Sequence, residues 1–262
     1  MSHAADPSHP RYKSLLARGK LEVAAEAGML AASALIAHGR GEAFDYLLGE
    51  VTTESAARAT KEAAARLAAA ERGIISFNGN TMALASDDLL RCAALSGADV
   101  EINIFYRTPE RMLALMSFLE DAKTRIRNST PQGINDVEWG KMVDMVRLLG
   151  ASPDGRIPGL EGPRANCHSD GMLAADVLLV PLEDGDRCEA LVAMGVDVIV
   201  IDLNPMSRSA KMATVTVVDE ISRFAENLFE ELKSPEEINR GWDNSAILQS
   251  ALDCINDNLT EN

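Results

Sequence analysis

Four short polar clusters of the sequence contain the residue types that bind phosphate and carboxylate groups. They are Asn78-Gly79-Asn80, Tyr106-Arg107-Thr108, Glu183-Asp184-Gly185-Asp186-Arg187 and Asp202-Leu203-Asn204-Pro205, and Ser207-Arg208-Ser209 follows the last of them. Arginine pairs with phosphate or carboxylate through two parallel hydrogen bonds, and helix N-termini add backbone N–H donors. The acids could coordinate Mg²⁺, hydrogen-bond a ribose or bind a substrate ammonium group. Each cluster alone is more typical of a turn, a solvated loop or a helix cap.

A fifth polar segment, His38-Gly39-Arg40-Gly41-Glu42, precedes these clusters. Glycines on both sides of Arg40 would allow a ligand to approach the backbone, and the segment is expected to lead into a helix. It is not a Walker A loop, because no Gly-Lys-Ser/Thr follows. It is not a GxGxxG fingerprint either, because Phe44 stands at the third glycine position, and this weakens an assignment as an NAD-dependent dehydrogenase.

The strands that precede the four clusters predict a common position for them. Short apolar strands are expected at residues 73–78, 99–106, 176–181, 197–202 and 213–218, alternating with helices. Continuous Val/Ile/Leu strands of this kind predict a parallel sheet that is covered on both faces. Ligands of such sheets bind outside the carboxyl ends of the strands, where the strand order reverses. Because each cluster follows a strand, we expect all four on one edge of the sheet, where Asp202 would bind a ribose or cap its own turn.

The predicted fold class is α/β: a Rossmann-like parallel sheet with helices on both faces, N-terminal helices and a C-terminal helical appendage. Residues 1–218 are expected to form one α/β domain, with a helical part at 1–72 and the core at 73–218. Residues 219–262 are expected to form the acidic appendage, whose helix would begin at Ser234-Pro235-Glu236-Glu237. Another helix is expected to begin at Ser86 and to end at Gly97. The order of elements in residues 122–155 stays open, apart from a helix through Leu149.

Composition excludes several classes of protein. With 25 basic and 40 acidic residues the chain of 262 carries a formal charge of −15, which argues against nucleic acid and against a polybasic membrane-surface protein. No apolar run approaches the roughly 18 residues of a membrane span, so a cytoplasmic location is expected. A basic segment nevertheless lies near the N-terminus, formed by Arg11, Lys13, Arg18 and Lys20. Such a segment is either a solvated helix face or an anion site.

Six segments of the sequence resemble one known family. They are Ser8-His9-Pro10-Arg11-Tyr12, the segment from Ile36 through His38-Gly39-Arg40-Gly41 to Leu47, Asn78-Gly79-Asn80, Phe105-Tyr106-Arg107-Thr108, the segment from Val180 to Arg187, and Ile201-Asp202-Leu203-Asn204-Pro205. Together they resemble the archaeal 4-phosphopantoate–β-alanine ligases, also called archaeal phosphopantothenate synthetases. The resemblance runs from about Ser8 to Val218.

This resemblance implies an ATP-dependent ligase of archaeal coenzyme A biosynthesis. Such an enzyme condenses 4-phosphopantoate with β-alanine to 4'-phosphopantothenate and releases AMP and pyrophosphate through an acyl-adenylate. The family further implies Mg²⁺, a homodimer and a Rossmann-like core.

The resemblance also implies roles for individual residues. ATP is assigned to Arg18, Arg40, Asp184, Gly185, Asp186, Arg187, Asp202, Leu203 and Asn204. The residues assigned to 4-phosphopantoate are Asn80, Arg107, Ser207 and Arg208. Catalytic roles fall to His38, Arg40 and Arg187, with His38 orienting or protonating a phosphate, although a lone histidine is more often structural. A carboxylate of the loop at Glu183 would receive the β-alanine ammonium, and no metal ligand is assigned.

Two other functions remain open on the same fold. A nucleotide-binding oxidoreductase would account for Asp202 and the strand pattern, but not for the missing glycine fingerprint. A non-catalytic nucleotide sensor would account for the binding loops, but not for so many arginines on one edge.

Overall fold

The helices and strands of the chain are taken from a computed structural model that describes residues 6–181 and 184–258. The helices are α1 (Tyr12–Glu26), α2 (Ala32–Leu47), α3 (Glu54–Ala69), α4 (Gly79–Ser96), α5 (Pro109–Arg127), α6 (Asp136–Met145), α7 (Gly185–Ala193), α8 (Arg208–Met212), α9 (Ile221–Leu232) and α10 (Asn244–Asn258). The strands are β1 (Gly73–Phe77), β2 (Asp99–Ile102), β3 (Leu148–Leu149), β4 (Gly155–Arg156), β5 (Asn166–Cys167), β6 (Val177–Pro181), β7 (Asp197–Ile201) and β8 (Val215–Val217).

The main sheet of the described residues has the strand order β3-β2-β1-β6-β7-β8, and all its paired strands are parallel. From β1 the chain builds outward through β2 to β3, and from β6 it builds in the other direction through β7 to β8. The strand order therefore reverses between β1 and β6, which is the switch point of a doubly wound α/β fold. The predicted α/β, Rossmann-like fold is confirmed.

Burial on both faces explains why the strands are continuously apolar. Every residue of β1 and β6 is buried. Along β1, Ile75 and Phe77 belong to the larger core cluster, whereas Ile74 belongs to the smaller cluster on the opposite face. Alternate side chains of a strand point to opposite faces, so a sheet between two helical layers needs an apolar residue at every position.

Several predicted element boundaries are wrong. The strand expected at residues 99–106 ends at Ile102, and the one expected at 213–218 is reduced to β8. The helix expected through Leu149 ends at Met145, and the short strand β3 then pairs with β2. A strand of two residues carries no periodicity that a sequence pattern could reveal.

The helix expected to begin at Ser234 is also wrong, because α10 begins at Asn244. Residues 234–243 form no helix. Within this segment the N–H of Asn239 donates to Glu62 Oε2 of α3 at 3.0 Å. Before this segment, α9 packs Phe224 and Leu228 into the larger core cluster, against α3 and α4. The domain boundary at residue 218 stays a prediction.

Candidate active site

Two neighbouring cavities lie on the side of the sheet where its strands reach their carboxyl ends. We call the first the switch cavity, because it lies at the ends of β1 and β6; its volume is about 350 Å³. It is lined by Ala31, Ser33, Ala34, Ala37, Arg40, Asn78, Gly79, Asn80, Ile104, Phe105, Tyr106, Arg111, Arg164 and Asp184. We call the second the helix cavity; it has about 560 Å³ and lies between α1, α2 and the start of α9. Ala37 lines both cavities, so α2 forms a wall between them.

Asn78 connects the two strands at the switch point. Its Oδ1 accepts the N–H of Thr81 at 3.0 Å and so caps α4, while its Nδ2 donates to the carbonyl of Pro181 at 2.9 Å. The cap places the start of α4 directly after β1, so the helix start predicted at Ser86 is wrong. The backbone does leave helical geometry at Ala85, immediately before Ser86. The sequence signal at Ser86 therefore marks the second segment of a kinked helix.

Asn80 and Arg111 both lie close to the N-terminus of α4. The amide of Asn80 donates to the carbonyl of Ala34 at 3.1 Å, whereas its buried Oδ1 has no partner among the described residues. Arg111 donates to the carbonyls of Met29 at 3.0 Å and Tyr106 at 2.9 Å. Its Nη2 lies 3.3 Å from the point that a Cβ on Gly79 would occupy, so the missing side chain leaves room for the guanidinium group.

Arg111 and Arg164 were missed as candidate site residues. Arg111 had a readable signal, since it lies in the first turn of a helix that Thr108 caps, next to one of the four polar clusters. Burial lowers the pKa of Arg111, as expected for a cation placed at a cavity wall. Arg164 comes from a short 3-10 turn at Pro163–Ala165, for which the sequence offered no comparable signal.

The segment His38-Gly39-Arg40-Gly41 lies inside α2 and not in a loop before a helix, so this expectation is wrong. A Cβ on Gly41 would lie 3.4 Å from Leu203 Cδ1, and the glycine thus lets α2 pack closely on the turn after β7. His38 and Arg40 face different cavities from the same helix. Burial lowers the pKa of His38, whose Nε2 has no partner within the described ranges.

A buried ion network forms part of the wall of the helix cavity. Arg223 Nε donates to Asp219 Oδ1 at 2.9 Å, and the same guanidinium group pairs with Asp45. Thr52 donates its hydroxyl hydrogen to Asp219 at 2.6 Å. Burial raises the pKa of Asp219, and Arg223 opposes this effect. The network ties α2 to the start of α9 and fixes two walls of the cavity.

Asp202 caps the turn after β7. Its carboxylate accepts the N–H of Asn204 at 2.9 Å and the hydroxyl hydrogen of Ser207. Ser207 in turn caps α8 by accepting the N–H of Ala210 at 3.0 Å. Burial raises the pKa of Asp202. Leu203 points into the helix cavity from the same turn, and the ribose role of Asp202 stays a prediction.

Arg208, assigned to 4-phosphopantoate, and Asp186, assigned to ATP, form an ion pair at the protein surface. Arg208 pairs with Asp186 and with Glu189. A Cβ on Gly185 would lie 2.8 Å from the Arg208 side chain, so the arginine covers the first residue of α7. Asp184 caps this helix and lines the switch cavity, whereas Glu183 lies outside the described residues.

Four predicted arginines, Arg18, Arg107, Arg187 and Arg208, are not among the described residues that line either cavity. Arg107 donates to the carbonyls of Gly150 and Ile102, the latter at 3.1 Å. Arg187 is 1% exposed and contacts Met172. Burial raises the pKa of the nearby Glu101, and the positive charge of Arg187 opposes part of this rise. The side chains of Arg107 and Arg187 connect segments of the polypeptide, and the roles of all four arginines with ligands stay predictions.

Glu42 joins the basic N-terminal segment to α2. It accepts hydrogen bonds from Arg18 at 2.7 Å, from Arg11 at 3.0 Å and from the hydroxyl of Ser14. Burial acts to raise the pKa of Glu42, but the bonds from Arg18 and Ser14 bring it below its usual value. Arg18 is therefore oriented by an acid of the same segment that contains His38 and Arg40.

Replacing Glu42 by glutamine should loosen α1. The neutral amide cannot bind two guanidinium groups as the carboxylate does, so we expect backbone amides of α1 to exchange with solvent about tenfold faster. Since the folded pKa is lowered, the contribution of Glu42 is complete above its unfolded value and is lost as the pH falls through the folded value. Hydrogen exchange of α1 measured from pH 7 to pH 4 tests this. Glu22→Gln, an exposed change on α1, is the control and should leave the exchange rates unchanged.

No helix in the described part of the chain is long and apolar enough to cross a membrane. Within residues 6–181 and 184–258, no group of three or more His, Cys, Asp or Glu side chains could hold a metal ion.

Comparison with known proteins decides the family. Residues 55–258 match the sequence profile of the family described as phosphopantothenate/pantothenate synthetase. The chain belongs to this family. The resemblance noted in the sequence is confirmed, and the synthetase family makes the chain an enzyme.

Archaeal relatives of this synthetase align over most of their length. A protein of Thermococcus onnurineus is 44% identical over 97% of this chain and 93% of its own length. One of Methanospirillum hungatei is 48% identical over 84% of this chain and 82% of its own. A third, of Thermococcus kodakarensis, is 43% identical over 97% and 92%. All three are named 4-phosphopantoate–β-alanine ligase.

Proposed function

We propose that this synthetase is an ATP-dependent ligase that joins 4-phosphopantoate to β-alanine and forms 4'-phosphopantothenate for coenzyme A biosynthesis. The observation that carries the proposal is 43–48% identity to three archaeal proteins of that name, over 82–93% of their lengths. The switch cavity supports the proposal, because arginine side chains from α2, α5 and a 3-10 turn line it.

The reaction proceeds in two displacements. A carboxylate oxygen of 4-phosphopantoate attacks the α-phosphorus of ATP and pyrophosphate leaves, which gives an acyl-adenylate. The amine of β-alanine, after losing a proton, attacks the acyl carbon. AMP then leaves with one of the two original carboxylate oxygens, and the amide remains. Both steps need cations around the phosphates and exclusion of water, because water would hydrolyse the activated acyl group.

Arg40 is the residue best placed to act on the α-phosphate. It lines the switch cavity one turn of α2 away from Ala37, the residue that both cavities share. A nucleotide that extends from the turn at Leu203 toward Arg40 would meet the second substrate at this wall. The guanidinium group would stabilise the negative charge as pyrophosphate departs.

The remaining assignments follow the family resemblance and stay part of the proposal. ATP would contact Arg18, Asp184, Gly185, Asp186, Arg187, Asp202, Leu203 and Asn204, and 4-phosphopantoate would contact Asn80, Arg107, Ser207 and Arg208. His38 is expected to be neutral at pH 7, because burial lowers its pKa, and a neutral imidazole suits hydrogen bonding to a phosphate better than protonating it.

Mg²⁺ fits the residues at the start of α7. Magnesium in nucleotide enzymes is bound through one or two carboxylates together with substrate phosphates. Asp184, which lines the switch cavity, would provide one such carboxylate. Asp186 would provide a second one only after its pair with Arg208 opens. When bound, Mg²⁺ would neutralise part of the charge on the ATP phosphates.

The proposal includes a homodimer in the cytoplasm, where ATP and Mg²⁺ are available. Exposed apolar side chains on α2 provide a surface for a second copy: Ile36 is 68% exposed and Tyr46 is 62% exposed. Sedimentation equilibrium should give twice the mass of one chain, and a single-chain mass would contradict the dimer.

Isotope transfer tests both the products and the intermediate. The protein is mixed with Mg·ATP, β-alanine and 4-phosphopantoate whose carboxylate carries ¹⁸O, and the nucleotide products are analysed by mass spectrometry. We expect AMP that contains one ¹⁸O atom, together with pyrophosphate, only when both substrates are present. Formation of ADP and ¹⁸O-labelled phosphate would contradict the adenylate and indicate an acyl phosphate intermediate.

The same preparation separates the two alternatives. Nucleotide-dependent absorbance change at the nicotinamide band, without AMP, would favour an oxidoreductase. Binding of ATP without any turnover in the complete mixture would favour a sensor.

A further inference from the structure

Residues 155–175, which we call the covering segment, carry Arg164 to the switch cavity. The strands β4 and β5 of this segment pair with each other in antiparallel fashion, apart from the main sheet. The N–H of Ile157 donates to the carbonyl of Ala165 at 2.8 Å and closes the loop whose 3-10 turn contains Arg164. The place of this half-buried arginine in the cavity therefore depends on where the covering segment is held.

The strand β2 and the residues directly after it alternate polar and apolar side chains, whereas β1 and β6 are apolar throughout. Val100, Ile102 and Ile104 belong to the larger core cluster. Because alternate side chains of an extended chain point to opposite sides, Glu101 and Asn103 face the other side of the sheet, where the covering segment contributes to the smaller core cluster. An irregular segment that is packed on a sheet needs partners for its backbone N–H and carbonyl groups, and buried polar side chains can supply them.

Glu101 binds the far part of the covering segment. It is fully buried, and its Oε1 accepts the N–H of His168 at 2.8 Å while its Oε2 accepts that of Met172 at 2.7 Å. A Cβ on Gly171 would collide with Oε2, so the glycine permits this close approach. Glu101 thus fixes the segment several residues beyond Arg164.

Asn103 binds the covering segment at the arginine itself. It is 2% exposed, and its Nδ2 donates to the carbonyls of Asn166 at 3.1 Å and of Arg164 at 3.4 Å. Its own N–H donates to the carbonyl of Phe77 at 2.9 Å, which ties it to the end of β1. Asn103 therefore connects the switch point of the sheet with the backbone of a residue whose side chain lines the cavity there.

We propose that Asn103 is a positioning residue of the ligase, which holds the backbone at Arg164 so that this guanidinium group binds an anionic group of the acid substrate in the switch cavity. The inference rests on the proposed function and adds two residues to which the family resemblance assigns no role. Arginine binds phosphate or carboxylate through a planar fork, so its orientation matters as much as its charge. A backbone that is fixed in advance leaves less freedom to be lost when the anion binds.

The two residues are tested first as single variants. Arg164→Ala should raise the KM for 4-phosphopantoate about 30-fold, because a hydrogen-bonded charge pair is lost. Asn103→Ala should raise the same KM about tenfold, because the arginine is still present but no longer held. In both variants kcat and the KM for ATP should stay within about threefold of wild type, since the contact is equally strong in the ground state and the transition state.

The double variant separates positioning from an independent effect. If Asn103 acts through Arg164, its removal has no further consequence once the arginine is absent. Asn103→Ala combined with Arg164→Ala should therefore show a KM about 30-fold above wild type, and not the product of about 300-fold that independent sites would give.

Asn135→Ala is the matched control. Asn135 caps α6 by accepting the N–H of Val137 at 2.9 Å, and it is not part of the described lining of either cavity. Loss of the cap lowers stability, but the KM for 4-phosphopantoate should stay within about twofold of wild type. If Asn103→Ala does not fold, Asn103→Ser is put through the same measurements, because it keeps a polar donor in the interior but is too short to hold both carbonyls.

The outcomes distinguish failure of the inference from failure of the proposed function. If the wild type forms no AMP with 4-phosphopantoate, the proposed function is overturned, and the inference with it. If the wild type is active but Arg164→Ala keeps its KM within about twofold, or if the two effects multiply in the double variant, only the positioning role is overturned. A loss confined to kcat, or an equal rise of KM in Asn135→Ala, would also overturn that role, because binding through Arg164 would no longer be the cause.

Discussion

Replacing Arg40 by alanine should lower kcat/KM for AMP formation by about 10³-fold, with the fold intact. The expected loss arises in the proposed first step, in which charge builds on the phosphates as pyrophosphate leaves. Arg40 is exposed on the side of α2 that lines the switch cavity, so truncation removes charge without opening the core. Alanine also favours helix at this position inside α2, and the free energy of unfolding should change by less than about 0.5 kcal/mol.

Steady-state kinetics and urea unfolding of the same preparation test this prediction. Arg40→Lys keeps the charge but loses the bidentate geometry, and it should recover only part of the activity. Arg58→Ala removes another exposed arginine, from α3, and should behave as wild type in both measurements. Near-normal kinetics of Arg40→Ala would show that the site assignment is wrong even though the family is correct.

The layered sheet could be predicted because its signal is local and repeated. Strands such as β1 and β6 are buried on both faces, and each therefore appears as an uninterrupted apolar run. The short partner β3 carries no such signal and exists only because β2 is already in place. The sequence also predicted that Asn78 lies at the carboxyl end of a strand, on the edge of the sheet where ligands bind.

The glycines around Arg40 show where local rules fail. Glycine disfavours the interior of a helix, so Gly39 and Gly41 indicated a loop. In the folded chain α2 continues through both, and Gly41 allows close contact with Leu203 about 160 residues later. Tertiary packing thus overrides the propensity of the segment, and no pattern within the segment contains that information.

The contacts of the arginine side chains could not be predicted from the sequence either. Arg107 and Arg111 flank the same helix start, yet Arg107 binds the carbonyl of Gly150 and Arg111 lines the switch cavity. The difference depends on which carbonyl groups the fold brings within reach, and Gly150 lies 43 residues away in sequence. Spacing therefore locates candidate cations at an edge, but the contacts select among them.

Gly150 should be highly sensitive to a single added methyl group. Its φ of +103° disfavours any residue with a side chain, and a Cβ would lie 2.5 Å from the carbonyl oxygen of Ile102 and 2.9 Å from its nitrogen. Both atoms belong to the backbone of β2 and cannot rotate away. Gly150→Ala should therefore lower the free energy of unfolding by about 3 kcal/mol or more, as strain of the backbone adds to overpacking.

The matched control is Gly159→Ala, which tests positive φ without the clash. Gly159 has a φ of +74°, and a Cβ there would meet no heavy atom within 4 Å. This variant should lose only about 1 kcal/mol in urea unfolding. Because Gly150 also accepts a hydrogen bond from Arg107, Gly150→Ala should in addition speed hydrogen exchange in residues 103–107, whereas Gly159→Ala should not. An equal loss of unfolding free energy in the two variants would contradict the prediction. It would mean that the backbone at the end of β2 shifts to accommodate the added methyl group.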